Sequence, residues 1–212
     1  MTGRAPLIGL DFDNTIVLYD DVFRGIGEDT GLLPPGFVGG KAEVRTHLRA
    51  LPDGEAQWTR LQAKVYGPGI ARAFPAPGLS GFLAACRAAG AGVAIVSHKT
   101  EFAAADPGGV SLRAAAWSWI EAQGLTDPAR GGIDPDLIFF EDSRAAKIAR
   151  IASLGCRCFV DDLEEVFREP DFPTEVDRIL VKHNARHLPA GPFRAFRTWQ
   201  EIADAVFGRA VA

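Results

Sequence analysis

Short uninterrupted apolar runs recur along the chain, separated by longer segments in which apolar residues return with helical period. The runs are Leu7-Ile8-Gly9-Leu10, Val93-Ala94-Ile95-Val96, Leu137-Ile138-Phe139-Phe140, Cys158-Phe159-Val160 and Ile179-Leu180-Val181. Runs this short and this apolar suit strands buried on both faces, and the helical segments between them supply the covering layers. The pattern predicts an α/β fold, a doubly wound parallel sheet of five strands with helices on both faces.

The helical segments carry start and stop chemistry. Ser80 can cap a segment running through Ala89, which Gly90 ends, and Ser111 can cap a second that Gly124 ends. In that second helix Leu112, Ala116, Trp119 and Ile120 share one face. A third runs from about Arg144 to Leu154 and stops at Gly155. The last opens on a Thr198-x-x-Glu201 capping box, with Trp199, Ile202, Val206 and Phe207 at core spacing.

One interval breaks the alternation. Between Asp20 and Phe74 no strand-like run occurs, while helical patches lie near Lys41 to Ala50 and Asp53 to Tyr66, the second with Trp58, Leu61 and Val65 as its core positions. Pro34-Pro35-Gly36 interrupts this stretch, and Pro75-Ala76-Pro77-Gly78 closes it as a stiff, turn-prone linker. The expected organisation is a core of residues 1–19 and 76–212 with a small helical cap, residues 20–75, inserted after the first strand and hinged near Leu18 to Asp20 and Phe74 to Gly78.

Composition narrows the function classes. The 212 residues are 47% hydrophobic and 24% charged, which is globular rather than disordered. With 23 basic against 27 acidic residues, a net charge of −4 and no basic cluster, nucleic acid is not an expected partner. The inserted interval balances seven basic against seven acidic residues, so substrate choice there must rest on placed contacts rather than on a net field. Cys86, Cys156 and Cys158 lack the spacing of a zinc site and read as packing residues. The first apolar stretch, Pro6 to Leu10, is too short for a signal peptide or a membrane span, so a cytoplasmic protein without a membrane partner is expected.

The candidate chemistry sits where strands end. The first strand runs into Asp11-Phe12-Asp13-Asn14-Thr15, the second into Ser97-His98-Lys99 and the fourth into Asp161-Asp162, while Lys147 lies in the first turns of the helix before that fourth strand. Open α/β sheets bind ligands at this carboxyl edge, and helical side chains lean toward the helix N-terminus, which sends Lys147 to the same place. Two acidic pairs gathered around a hydroxyl and one ammonium form a self-repelling cluster unless a divalent cation and an anion neutralise it. A Mg²⁺ ion holding a phosphate answers both charges. Other polar residues carry less. Asp142 reads as a cap for the helix bearing Lys147. His183 and His187 have metal-ligand spacing only on a helix, which the preceding strand and Pro189 disfavour.

In order and placement these residues resemble the four motifs of the haloacid dehalogenase (HAD) superfamily, phosphatase type: Asp-x-Asp-x-Thr, a strand-end Ser, a Lys and an acidic pair. The resemblance covers residues 5–16 and about 78–184. It implies that Asp11 is a nucleophile forming an aspartyl-phosphate, that Asp13 is the acid and base, and that Ser97 and Lys147 bind the phosphoryl oxygens. It implies a Mg²⁺ site among Asp11, Asp13, Asp161 and Asp162; aligned on the family's acidic pair, Asp162 would be the direct ligand and Asp161 would orient a metal-bound water, while the sequence leaves open which of the two carboxylates touches the ion. Asn14, Thr15, His98 and Lys99 would contact substrate, although a solvated loop accounts for His98 and Lys99 equally well. Dehalogenases of the superfamily lack the second Asp, so Asp13 favours phosphoryl chemistry. Where the family often has a further Asp, four residues after the acidic pair, this chain has Val166. The implied activity is Mg²⁺-dependent hydrolysis of a small phosphorylated metabolite. Alternatives are a phosphotransferase or phosphomutase using the same nucleophile, or a non-catalytic phosphometabolite-binding module. A response-regulator phosphoacceptor domain fits less well, because its acceptor Asp would end the third strand and it has no place for the inserted cap.

Overall fold

The computed structural model describes residues 5–183 and 185–208, so the ends of the expected core (1–4 and 209–212) and Asn184 lie outside the described residues. The strands in chain order are β1 (Leu7–Leu10), β2 (Val17–Leu18), β3 (Phe74–Pro75), β4 (Gly92–His98), β5 (Ile138–Glu141), β6 (Cys158–Asp161), β7 (Asp177–Val181) and β8 (Arg194–Phe196). The helices are α1 (Asp20–Asp29), α2 (Lys41–Arg49), α3 (Gly54–Tyr66), α4 (Leu79–Ala88), α5 (Leu112–Ala122), α6 (Arg144–Leu154), α7 (Glu164–Phe167) and α8 (Trp199–Phe207).

Six strands form one sheet in the order β5-β4-β1-β6-β7-β8, with every neighbouring pair parallel. β2 and β3 pair separately. All five expected sheet strands are present. The sixth, β8, carries no apolar run: Arg194-Ala195-Phe196 is a short, half-exposed edge strand, and edge strands are not forced to be apolar on both faces. From β1 the chain builds outward to β4 and β5, then returns to the other side of β1 to lay down β6. The order therefore reverses between β1 and β6, and that reversal opens a crevice at the carboxyl ends of the strands.

The core follows the two-residue alternation of strand side chains. One face packs Leu7, Ala94, Val96, Phe159 and Leu180 against Ile148 and Ile151 of α6 and against Val166 and Phe167 of α7. The alternate positions Ile8, Leu10, Ile95, Val160 and Ile179 are fully buried on the opposite side. Phe82 of α4 meets Trp199 of α8 with ring centroids 4.8 Å apart. Val166 is thus a core residue. Cys86, Cys156 and Cys158 are free and buried, and burial raises their thiol pKa values, in keeping with packing roles.

Gly9 in the middle of β1 permits a close approach, since a Cβ there would lie 2.5 Å from Phe159 Cδ2 and 3.0 Å from Cys156 Sγ. Gly9→Ala should lower stability by about 1–3 kcal/mol through overpacking. Urea unfolding measures this, and an unchanged midpoint would mean that Phe159 yields freely.

Capping differs in detail from the sequence reading. Ser111 and Thr198 cap α5 and α8 as expected, their hydroxyls accepting from the amides of Ala114 (3.0 Å) and Glu201 (3.2 Å). Ser80 is not a cap, because Gly78 at φ +88° turns the chain two residues earlier and α4 begins at Leu79. Asp142 is not the cap of α6 either. Ser143 takes that role, its hydroxyl accepting from the Ala146 amide at 3.1 Å.

The described chain divides into two compact units: one of residues Met1–Ile16, Pro75–His98 and Thr126–Ala212, the other of Val17–Phe74 and Lys99–Leu125. The second unit is helical and contains α1, α2, α3 and α5. Its core includes Phe23 stacked on Trp58 (centroids 5.1 Å apart) with Leu61 and Val65 fully buried. Relative to the insert read from sequence, it also takes in residues 99–125. The reason is tertiary: the Trp119 indole N–H donates to the Ala73 carbonyl at 3.0 Å, tying α5 to the end of the insert. Among the described residues no helix is long and apolar enough to cross a membrane.

Candidate active site

The site is built at the carboxyl ends of β1, β4 and β6, three adjacent strands at the crevice. Asp11 follows β1 and is buried, its backbone amide donating to the Val160 carbonyl of β6 at 2.8 Å. One carboxylate oxygen, Oδ1, accepts from Ser97 Oγ of β4 at 3.0 Å and from Lys147 Nζ of α6 at 2.6 Å. The other, Oδ2, accepts from Thr15 Oγ1 at 3.2 Å. Three donors from three elements therefore fix both oxygens of one carboxylate.

Lys147 joins Asp11 to the last residue of β6. Its ammonium also lies 2.6 Å from Asp161 Oδ2, while Asp161 Oδ1 accepts from the Leu163 amide at 2.9 Å. All three charged groups of this triad are almost completely buried. Burial alone would push the Lys147 pKa down, but the carboxylates of Asp11 and Asp161 outweigh it and raise the pKa, so the ammonium is charged across the ordinary pH range. Two carboxylates share one cation. Burial, opposed by Lys147 and reinforced by the negative charge of Asp11, pushes Asp161 up to about 6.

Asp162, half-buried, completes a group with Asp11 and Asp161 in which one oxygen from each carboxylate lies within 4.8 Å of the others. Hard divalent cations take this kind of ligand set, so the residues fit a Mg²⁺ ion. Because Lys147 and the Leu163 amide already engage both Asp161 oxygens, Asp162 is the better placed of the pair to bind metal directly. The carboxylate of Asp13 is not one of the three. It is half-buried on the strained turn that follows β1, in which Asn14 adopts φ +59°, a left-handed conformation uncommon outside glycine.

The other sequence candidates separate. Thr15 is buried and touches Asp11, whereas Asn14 is half-buried and His98 is exposed at the end of β4. Lys99 is buried rather than solvated: it belongs to the second unit, with its ammonium 5.3 Å from the centre of the Tyr66 ring. Among the described residues His183 and His187 belong to no metal-ligand group, and no helix is described between β7, which ends at Val181, and β8. His183 Nε2 instead lies 3.1 Å from the Thr15 carbonyl oxygen. That contact was not legible in the sequence, because His183 reaches it only after β6 and β7 are laid beside β1.

No protein-family model matches the chain, and no curated protein matches its sequence. Solved structures do match its fold. A HAD family hydrolase from Deinococcus radiodurans R1, with bound phosphate and sodium, superposes with a TM-score of 0.55 at 16% identity, covering 95% of each chain. Protein tyrosine kinase A of Mycobacterium tuberculosis gives 0.59 at 17% identity, over 97% of this chain and all of that one. A structure described as a dehalogenase gives 0.53 at 12% identity, over 99% and 100%. The chain thus has the fold of the HAD-superfamily hydrolases. Those three descriptions span different chemistries, so the fold leaves the choice among them to the site.

Proposed function

We propose that the protein is a Mg²⁺-dependent phosphatase that hydrolyses a small phosphorylated metabolite through an aspartyl-phosphate on Asp11. The observation that carries this reading is a buried carboxylate at the crevice of a parallel sheet, with both oxygens oriented by Thr15, Ser97 and Lys147 beside a three-carboxylate group. Such a carboxylate is preorganised for attack, and the hydroxyl and ammonium next to it are the donors that phosphoryl oxygens require.

In the first step an Asp11 oxygen attacks phosphorus as the bond to the leaving oxygen breaks, and Asp13 supplies the proton that oxygen needs. In the second, water attacks the same phosphorus, Asp13 takes the proton of that water, and Asp11 departs as a carboxylate. Ser97 donates to a phosphoryl oxygen, and Lys147 counters the charge that builds on the equatorial oxygens. A Mg²⁺ ion would be held by Asp11 and Asp162, with Asp161 beside them, and would supply positive charge that reduces repulsion between carboxylate and phosphate. A carboxylic acid held outside the three-carboxylate group, as Asp13 is, can change protonation between the two steps without competing for the metal.

A panel of phosphorylated metabolites, assayed for phosphate release before and after exhaustive chelation, tests the proposal. Release that chelation stops and Mg²⁺ restores is the expected result. Release indifferent to chelation would remove the metal from the reading, and transfer to an added alcohol in place of water would make the protein a phosphotransferase.

Metal binding should also be visible in stability. With Asp161 raised to about 6 in the folded chain against 3.8 for an ordinary Asp, the native state holds a proton that the unfolded chain has released. Across that window the metal-free protein therefore loses stability as pH rises. A cation competes with the same proton, so the increase in Tm given by Mg²⁺ should grow between those two pH values and level off above them. Thermal melts across the window check this, and a Mg²⁺ increment that does not change with pH would contradict it.

A further inference from the structure

The turn that follows β1 is held by a side chain from two strands away. After Asp11 the backbone folds tightly: the amides of Thr15 and Ile16 both donate to the Phe12 carbonyl (3.4 and 3.0 Å), Asn14 takes a positive φ, and the Ala76 amide donates to the Ile16 carbonyl (2.9 Å). These bonds secure the turn on either side of Thr15. The Thr15 carbonyl itself meets the Nε2 of His183 at 3.1 Å.

His183 is two residues past the end of β7, and β6 lies between β7 and β1 in the sheet. Its position is set from the C-terminal side. The Lys182 amide donates to the Phe196 carbonyl (2.9 Å), and the Arg197 guanidinium donates to the carbonyls of Ala185 (2.9 Å) and Arg186 (3.1 Å). The imidazole stands 6.5 Å, centre to centre, from the buried ring of Trp199. Hydrogen bonds on either side of His183 thus accompany the approach of one ring nitrogen to one carbonyl of the turn. The same residue, Thr15, uses its hydroxyl to hold Asp11 Oδ2 at 3.2 Å.

We infer that His183 is a positioning residue for the nucleophile: it donates from Nε2 to the Thr15 carbonyl and so fixes the turn from which Thr15 orients Asp11. The catalytic part rests on the phosphatase reading, whereas the fixing of the turn does not. Loss of the donor leaves a strained turn with an unmatched carbonyl and frees Thr15 to rotate away from Asp11. Displacing a supporting partner of this kind typically lowers turnover roughly 10–100-fold.

The test compares His183→Leu, which removes the donor, with His183→Gln, whose side-chain amide can donate to the same carbonyl. Amide exchange of residues 12–16 is followed by mass spectrometry, with β7 and α8 as internal controls. Leu should speed exchange in the turn by about ten-fold without altering the controls, and Gln should restore it. With para-nitrophenyl phosphate as substrate, Leu should lower kcat with little change in KM, and Gln should recover most of the loss. Turn exchange unchanged in the Leu variant overturns the inference. Faster exchange with full turnover overturns its catalytic part. No turnover by the wild type with any phosphate ester counts against the phosphatase reading, while the exchange comparison still decides whether His183 holds the turn.

Discussion

Asp11→Asn should abolish phosphate release, by roughly 10⁴-fold or more, while leaving the fold intact or more stable. The substitution keeps the shape of the side chain. Its amide oxygen can still accept from Ser97 and Lys147, and its amide nitrogen can donate to Thr15 Oγ1, which reverses that bond without moving it. What disappears is the anionic nucleophile, together with one of two buried carboxylates that share a single ammonium. Removing that excess negative charge relieves Asp161, so Tm should hold or rise in the absence of metal. A variant that loses activity and fold together would fail to separate chemistry from architecture. Far-ultraviolet circular dichroism and a thermal melt, run beside the assay, keep the two apart. Substantial release by the well-folded Asn variant would exclude Asp11 as nucleophile.

Lys147→Ala should damage both stability and turnover. The ammonium is 2% exposed and lies 2.6 Å from each of two carboxylates that are themselves buried, so its loss leaves Asp11 and Asp161 facing each other without a cation. Breaking a buried pair by deleting one partner costs about 3–5 kcal/mol. A proton or a divalent ion can take the place of the lost charge, so Mg²⁺ should rescue more stability in the variant than in the wild type. Catalysis should not be rescued, because on the proposed mechanism the ammonium meets the phosphoryl oxygens that gain charge, and removing a single donor of this kind costs about 10²–10³ in kcat. Lys147→Met, which keeps the length of the side chain without its charge, guards against collapse around the Ala cavity. An unchanged kcat in a folded Met variant would remove Lys147 from the reaction.

How much of this was legible beforehand follows from which forces are local. Parallel strands buried on both faces must be apolar, and their polar ends then stand out, so Asp11, Ser97 and Asp161 could be placed at one sheet edge from the sequence alone. Lys147 followed from the lean of helical side chains. β8 was not legible, because Arg194-Ala195-Phe196 at an edge need not be apolar. α1 was missed because Gly25 and Gly27 weaken its helical signal. A Cβ at Gly27 would lie 2.5 Å from Leu33 Cδ1, so one of those glycines answers to packing rather than to helix propensity. The grouping of α5 with the inserted helices depends on the bond from Trp119 to Ala73, and the role of His183 depends on strand order. Neither leaves a trace within its own segment.

The central claim is that Asp11 carries the phosphoryl group. The most direct measurement is acid quenching of the protein during turnover of a phosphate ester that it hydrolyses, followed by peptide mass spectrometry. On this account a phosphorylated peptide spanning Asp11 accumulates, is lost on treatment with hydroxylamine as an acyl phosphate should be, and is absent from the Asp11→Asn protein. Steady turnover with no phosphorylated peptide at any quench time, or a phosphoryl group mapped to a residue other than Asp11, would contradict it.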